Sequence, residues 1–330
     1  MNYDIPTLAA GVIAGKRRML AKAISLVESA DLRSAFSLVE QILPHTGKSM
    51  RIGVTGSPGA GKSSFIEAFG RYIRTTGKKT AVLAIDPSSE ISGGSILGDK
   101  ARMVNLARDE GAFIRPSPSG GTLGGVGRVT RETILLCEAA GYEVVIVETM
   151  GVGQAENEVA SMTDCVLAMM LPNAGDELQG IKRGSMENAD IFIVTKADGA
   201  TAAAANEAAR QIEFSLRFMR WKSSDWKPPV LKVSSHENKG MDEVWKYCTE
   251  FFGEAREPDI TARRARQNLH WFSVMTRNLI MEEAYKSDEI RSAIAKSNHD
   301  IEEGKILPSR AAVDIVRRFF HNAERIQSKV

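Results

Sequence analysis

Ile52-Gly53-Val54-Thr55 runs straight into Gly56-Ser57-Pro58-Gly59-Ala60-Gly61-Lys62-Ser63, and Ser64, Phe65, Ile66 and Phe69 follow at helical spacing. Apolar strand, glycine-rich loop and helix in that order form the grammar of a P-loop. Glycines let backbone N–H groups turn inward around α- and β-phosphates, and the helix N-terminus adds positive potential. Lys62 then reaches the β/γ oxygens as a point charge, and the Ser63 hydroxyl is a magnesium ligand. Gly56, Ser57, Pro58, Gly59, Ala60, Gly61, Lys62, Ser63 and Ser64 are therefore expected to bind nucleotide. A glycine-rich turn that binds nothing is the plainer alternative, and the strand–loop–helix context argues against it.

Outward from this loop, short apolar runs alternate with helical stretches. Strands are expected at Arg51–Thr55, Thr80–Ile85, Ala112–Ile114, Val144–Glu148, Cys165–Leu171, Ile191–Thr195 and Val230–Val233. Several are continuous Val/Ile/Leu runs, as strands buried on both faces of a parallel sheet are. The expected fold is α/β, a doubly wound, mostly parallel sheet, with helical extensions at both ends. Residues 1–47 read as an N-terminal helical extension, with Leu20, Ala23, Ile24 and Val27 at helical spacing, as are Leu32, Phe36, Val39 and Ile42-Leu43. Residues 48–257 read as the nucleotide-binding domain and 258–330 as a C-terminal helical arm, with helices over Asn268–Tyr285, Asp288–Lys296 and Ser309–Ile326. Amphipathic helices without a second sheet need a surface to cover their stripes. A second copy of the chain is one candidate and the nucleotide domain is the other.

In open α/β sheets the ligand sits beyond the carboxyl ends of the strands. Asp86 and Glu148 stand at two such ends, and Asp99 precedes a helix as a third candidate for Mg²⁺. For any one of these acids, a helix cap or a solvated charge is the plainer role. The loop Glu148-Thr149-Met150-Gly151 continues to Gly153 and Gln154. A glycine N–H meeting the γ-phosphate would let this loop sense hydrolysis, and Gln154 is a candidate to orient the attacking water. The glycine-rich stretch Gly120–Gly127 lacks the order of a dinucleotide loop and reads as a flexible loop.

After a late strand, Thr195-Lys196-Ala197-Asp198 resembles the [N/T]KxD element of GTPases, with Thr195 where Asn is usual. A carboxylate at Asp198 accepts the guanine N1–H and N2–H₂ together, a pair that adenine lacks, and such hydrogen-bonded discrimination reaches large factors. Ser234-Ser235-His236, after the last strand, fits the loop that closes on the base. His236 has no second His or Cys near it in sequence, so a loop surface suits it better than a metal site.

The 330 residues carry 43 Lys+Arg and 41 Asp+Glu, a net charge of +2. That balance gives no reason to expect nucleic acid or an anionic membrane as a partner. With 43% hydrophobic and 25% charged residues, disordered and fibrous classes are excluded. Cys137, Cys165 and Cys248 lie far apart, which supports neither a disulfide scaffold nor a zinc finger and suits a reducing cytosol. No apolar run approaches the ~18 residues of a membrane span. Asp4 precedes the first apolar stretch and Lys16-Arg17-Arg18 follow it, the reverse of a secretory signal. The expected location is cytoplasmic.

These motifs, with AIDPSS (Ala84–Ser89), GGSILGD (Gly93–Asp99), FIRPS (Phe113–Ser117), GTLGG (Gly121–Gly125), ETMGVGQ (Glu148–Gln154) and GDELQGIK (Gly175–Lys182), resemble the MeaB/ArgK/MMAA GTPases over nearly the whole chain. Those proteins accompany adenosylcobalamin-dependent acyl-CoA mutases. The resemblance implies GTP and GDP as ligands with Mg²⁺, and slow GTP hydrolysis that the mutase accelerates. It also implies a homodimer held by the C-terminal arm, and a nucleotide state that gates cofactor loading or the exchange of damaged cobalamin. Lys62, Asp86, Asp99, Glu148 and Gln154 would then be catalytic, and Ser63, Asp86, Asp99 and Glu148 would surround the metal. Lys196, Asp198, Ser234, Ser235 and His236 would bind the base. Asp176, Glu177 and Lys182, within Pro172–Lys182, would couple nucleotide to the mutase. Two other readings stay open: a nickel-delivery maturation GTPase, which needs clustered Cys/His ligands, and a kinase or transport-linked ATPase, against which Asp198 argues.

Overall fold

The computed structural model describes residues 4–29, 31–86, 103–118, 125–149, 155–172, 187–218 and 226–327. The chain forms two compact units, Met1–Gln267 and Asn268–Val330. In the first, seven strands make one sheet: β1 (Met50–Gly56), β2 (Thr80–Asp86), β3 (Ala112–Pro118), β4 (Val144–Thr149), β5 (Cys165–Met170), β6 (Ile191–Val194) and β7 (Val230–Lys232). Their order is β3-β2-β4-β1-β5-β6-β7, and every neighbouring pair is parallel. All seven expected strands are present. The apolar runs exist because both faces are covered, so each residue parity meets a core.

On one face Ile52, Val54, Val82, Ile146, Leu167 and Ile193 pack with Phe65, Phe69 and Trp245 of helices Lys62–Thr75 and Met241–Phe251. On the other face, Leu83, Val145 and Val147 meet helix Gly125–Ala139 and the three N-terminal helices, Ile5–Ile13, Arg17–Val27 and Leu32–Ile42. Farther along that face, Phe192 and Val194 pack beneath Ala205, Ala208 and Ile212 of helix Ala202–Leu216. Leu20, Ala23, Ile24 and Val27 are buried as their spacing predicts. In the next helix the buried line is Ala35, Leu38 and Ile42 instead, with Phe36 and Val39 at its margin and Leu43 exposed. The apolar stripe there is wide enough to bury small Ala35 as fully as Leu38 and Ile42.

Helix Glu257–Lys286 starts earlier than its apolar periodicity suggests, with Pro258 in its first turn, where a missing N–H costs nothing. Its opening turns are polar because they are held by ion pairs. Arg263 donates to both Asp190 oxygens at 2.8 and 2.9 Å, and Arg264 to Asp164 at 2.6 and 2.8 Å. Asp164 is fully buried, so this pairing is a requirement of its charge. The second unit contains helices Asp288–Glu302 and Pro308–Gln327 with the end of the long helix.

Candidate functional site

The P-loop turns because its glycines accept conformations that other residues resist. Gly56 closes β1 at φ +148°, and a Cβ there would stand 2.4 Å from the Met169 carbonyl of β5. Gly61, at φ +83°, ends the loop and starts helix Lys62–Thr75. That helix has no side-chain cap, so its first N–H groups face the loop mouth, as an anion-binding terminus requires. Lys62 is buried, and its ammonium donates to the carbonyls of Gly56 at 2.6 Å and Ser57 at 3.1 Å. These bonds fix the charge over the loop. Ser57 and Ser63 are half-buried, Pro58, Gly59 and Ser64 exposed, and Ala60 fills the core beneath.

Glu148 ends the apolar run of β4, in register with Val54 of β1. This adjacency brings it to the loop, where the Ser63 hydroxyl donates to its Oε1 at 2.9 Å. The pair supplies hard oxygen donors, a hydroxyl and a nearly buried carboxylate, which suit Mg²⁺. The backbone of Asp86 ends β2; its side chain, with Asp99 and Gln154, lies outside the described residues. The same holds for Asp176, Glu177 and Lys182. Among the described residues no three His, Cys, Asp or Glu side chains cluster as a metal site.

The base loop hangs from the same edge of the sheet. Thr195 is buried, with its N–H and hydroxyl both donating to the Met170 carbonyl at the end of β5, at 2.9 and 3.1 Å. Its neighbour Met169 pairs with Gly56, so one strand end supports both loops. Thr195 thus acts as an anchor at the position where an Asn amide is usual. Lys196 takes a left-handed φ of +53° and is exposed. The Asp198 carboxylate accepts a short hydrogen bond from the hydroxyl of Ser234, which is buried and in turn accepts from the Glu237 N–H at 3.0 Å. Ser235 is half-buried and His236 exposed.

Two contributors were not evident from the motifs. Thr201 donates from its hydroxyl to the carbonyls of Lys196 and Asp198, at 2.6 and 2.9 Å, tightening the turn that carries the acid. Lys239 pairs its backbone with Ser234; the Glu237 carboxylate beside it, and more distantly Asp198, hold its ammonium above the usual lysine range. The turn signal Asn238-Lys239-Gly240, with Asn238 and Gly240 at positive φ, was the available clue to the second.

Comparison with known proteins identifies the family. The family model described as "Methylmalonyl Co-A mutase-associated GTPase MeaB" matches residues 20–289. The GTPase ArgK of Escherichia coli is 45% identical over 83% of this chain and 84% of its own. The mouse "Methylmalonic aciduria type A homolog, mitochondrial" is 40% identical over 96% of this chain and 79% of its own. A crystal structure described as a LAO/AO transport system kinase superposes with a TM-score of 0.73 at 34% identity, covering 96% of this chain and 98% of that one. With a P-loop, a strand-end acid and the Thr195–Asp198 turn on one sheet edge, and a family match across most of its length, the chain belongs to the MeaB family of P-loop GTPases, binds guanine nucleotide and hydrolyses GTP.

Proposed function

We propose that this GTPase is the chaperone of an adenosylcobalamin-dependent acyl-CoA mutase of the methylmalonyl-CoA type, and that its nucleotide state gates loading, protection or reactivation of the mutase cofactor. The observation that carries this reading is the match to a mutase-associated family over residues 20–289, supported by the ArgK and methylmalonic aciduria type A relatives. In this reading Lys62 and the helix N–H groups hold the β- and γ-phosphates, and Asp198, oriented by Ser234, selects guanine. Ser63 and Glu148 would hold Mg²⁺, with Asp86 and Asp99 as further ligand candidates, and the ion would supply neutralisation of phosphate charge. Gln154 orients the attacking water, and Asp176, Glu177 and Lys182 pass the nucleotide state to the mutase. The location is cytoplasmic, and neither nucleic acid nor a membrane is a partner. No helix among the described residues is long and apolar enough to cross a membrane. The second unit exposes Leu269, Phe272, Val316 and Phe320, which supports a homodimer through the C-terminal arm.

The test is GTP turnover, with ATP as control, for the chain alone and with an equimolar cobalamin-dependent mutase. Stimulation with GTP and none with ATP is the expected result. GTP binding without stimulation by any such mutase would overturn the partner and leave the GTPase. Substantial ATP turnover would favour the transport-linked reading that the name of the similar solved structure suggests.

A further inference from the structure

At the N-terminal ends of β5 and β6, the sheet edge opposite the P-loop, the first unit holds a cavity of about 300 Å³. This is the lower end of the range of small-molecule sites. Three arginines line it, Arg256, Arg263 and Arg266, against one acid among the described residues, Asp259. Arg263 already has a counter-charge in Asp190. Arg266 is exposed at the rim.

Arg256 is held differently. Its guanidinium lies over the rings of Phe251 and Trp226, 4.7 and 5.1 Å from their centroids. Nη2 stands 3.5 Å from Asp259, while Nε and Nη1 are shut off from solvent without a hydrogen-bond partner. Buried donors on a charged group are costly to leave unpaired. A small turn of the flat group across its aromatic bed would present Nη1 together with Nη2, whose contact with Asp259 is long, to the cavity, and this end-on fork matches the two oxygens of a carboxylate or phosphate. Even with Asp190 counted, the lining is net positive.

We propose that this cavity is a binding site for a small oxyanion, a phosphate or carboxylate group, gripped by Arg256 and drawn in by Arg266. The site is separate from the nucleotide site and lies at the opposite ends of the strands. Its wall includes Gln267, whose amide donates to the carbonyls of Ala160 and Thr163 at 3.0 and 2.8 Å. Helix Ala155–Ala160 ends there and follows Glu148–Gln154 directly in sequence, so the site adjoins an element tied to the nucleotide edge.

The experiment is calorimetric titration of the full chain, saturated with GDP and magnesium so that the P-loop is filled. The probes are inorganic phosphate and, separately, succinate, at constant ionic strength with chloride as control. Saturable one-site binding of at least one probe is expected. Arg256→Lys, which keeps the charge and loses the fork, should weaken it roughly tenfold to a hundredfold. Arg266→Glu should abolish it, with GDP affinity unchanged in both variants. Uptake of phosphate alone identifies a phosphoryl ligand, and uptake of succinate alone a carboxylate. No saturable binding of either probe, or binding that Arg266→Glu leaves untouched, overturns the proposal. The second variant alters an exposed side chain and decides the matter even if Arg256→Lys fails to fold.

Discussion

The Ser63 hydroxyl donates to the Glu148 carboxylate across 2.9 Å, joining the first turn after the phosphate loop to the end of β4. The contact exists because β4 lies beside β1 in register, not because the residues are close in sequence. Glu148→Gln keeps an acceptor for Ser63 and removes the negative charge. Turnover of GTP should fall at least about a hundredfold, as expected for a group acting on the charge or proton balance of the reaction, while GDP binding without magnesium changes little. Single-turnover hydrolysis and GDP titration in chelator check this. Unchanged turnover would remove Glu148 from the machinery.

Asp198 and Ser234 give a second pair, to which the proposed function assigns guanine selectivity. Asp198→Asn should weaken GTP and favour xanthosine triphosphate, whose C2 oxygen replaces the amino group, reversing the preference by about a hundredfold or more. Ser234→Ala should keep the preference and weaken GTP by roughly tenfold, because the carboxylate loses its hydroxyl donor. Competition binding with both nucleotides checks this. An unaltered preference in Asp198→Asn would refute the base assignment.

The sheet, and the strand-end positions of the P-loop and of the Thr195–Asp198 turn, could be read from the sequence because each signal is local. Val144–Val147 announces a strand buried on both faces, and the P-loop carries its glycines, lysine and serine in one octapeptide. Signals that depend on distant partners were not visible. Nothing in the sequence singles out Arg263 and Arg264, which the fold pairs with Asp190 and Asp164, 73 and 100 residues away. The same holds for Arg128, which is fully buried yet donates to the Val27 carbonyl of the second N-terminal helix. The full burial of Ala35 was also hidden, since alanine marks no face by itself.

Glu132 makes the protein's stability depend on pH. Burial raises its carboxyl from 4.5 to about 7, against the opposing effect of the Arg128 guanidinium 2.8 Å away. The folded state therefore holds this proton more tightly than the unfolded chain does. The stability that protonated Glu132 contributes is fully present below about 4.5 and is lost as pH rises through about 7. Glu132→Gln stays neutral and loses this dependence. Between pH 5 and 8 the wild type should lose up to ~3 kcal/mol relative to the variant. Urea unfolding at the two pH values measures this, and parallel behaviour of the two proteins would show that Glu132 does not titrate in that window.

The second unit invites a test of self-association. Leu269 and Phe272 are each 69% exposed, and Val316 and Phe320 are 53% and 59% exposed. Val313, Val316 and Phe320 fall at i, i+3 and i+7 of helix Pro308–Gln327, one stripe facing water. Apolar side chains repeated along one face mark an interaction surface. In the proposed homodimer they are covered by a second copy, with the aromatic residues as anchors. Phe272→Asp combined with Phe320→Asp should therefore weaken dimerisation by at least about a hundredfold. GTP affinity should stay within about twofold of wild type, because both positions lie in the second unit and none of the nucleotide-site residues does. Light scattering across a concentration series reads the mass, and nucleotide titration verifies the fold of the first unit. A variant that remains dimeric with normal GTP affinity would exclude this face as the dimer interface.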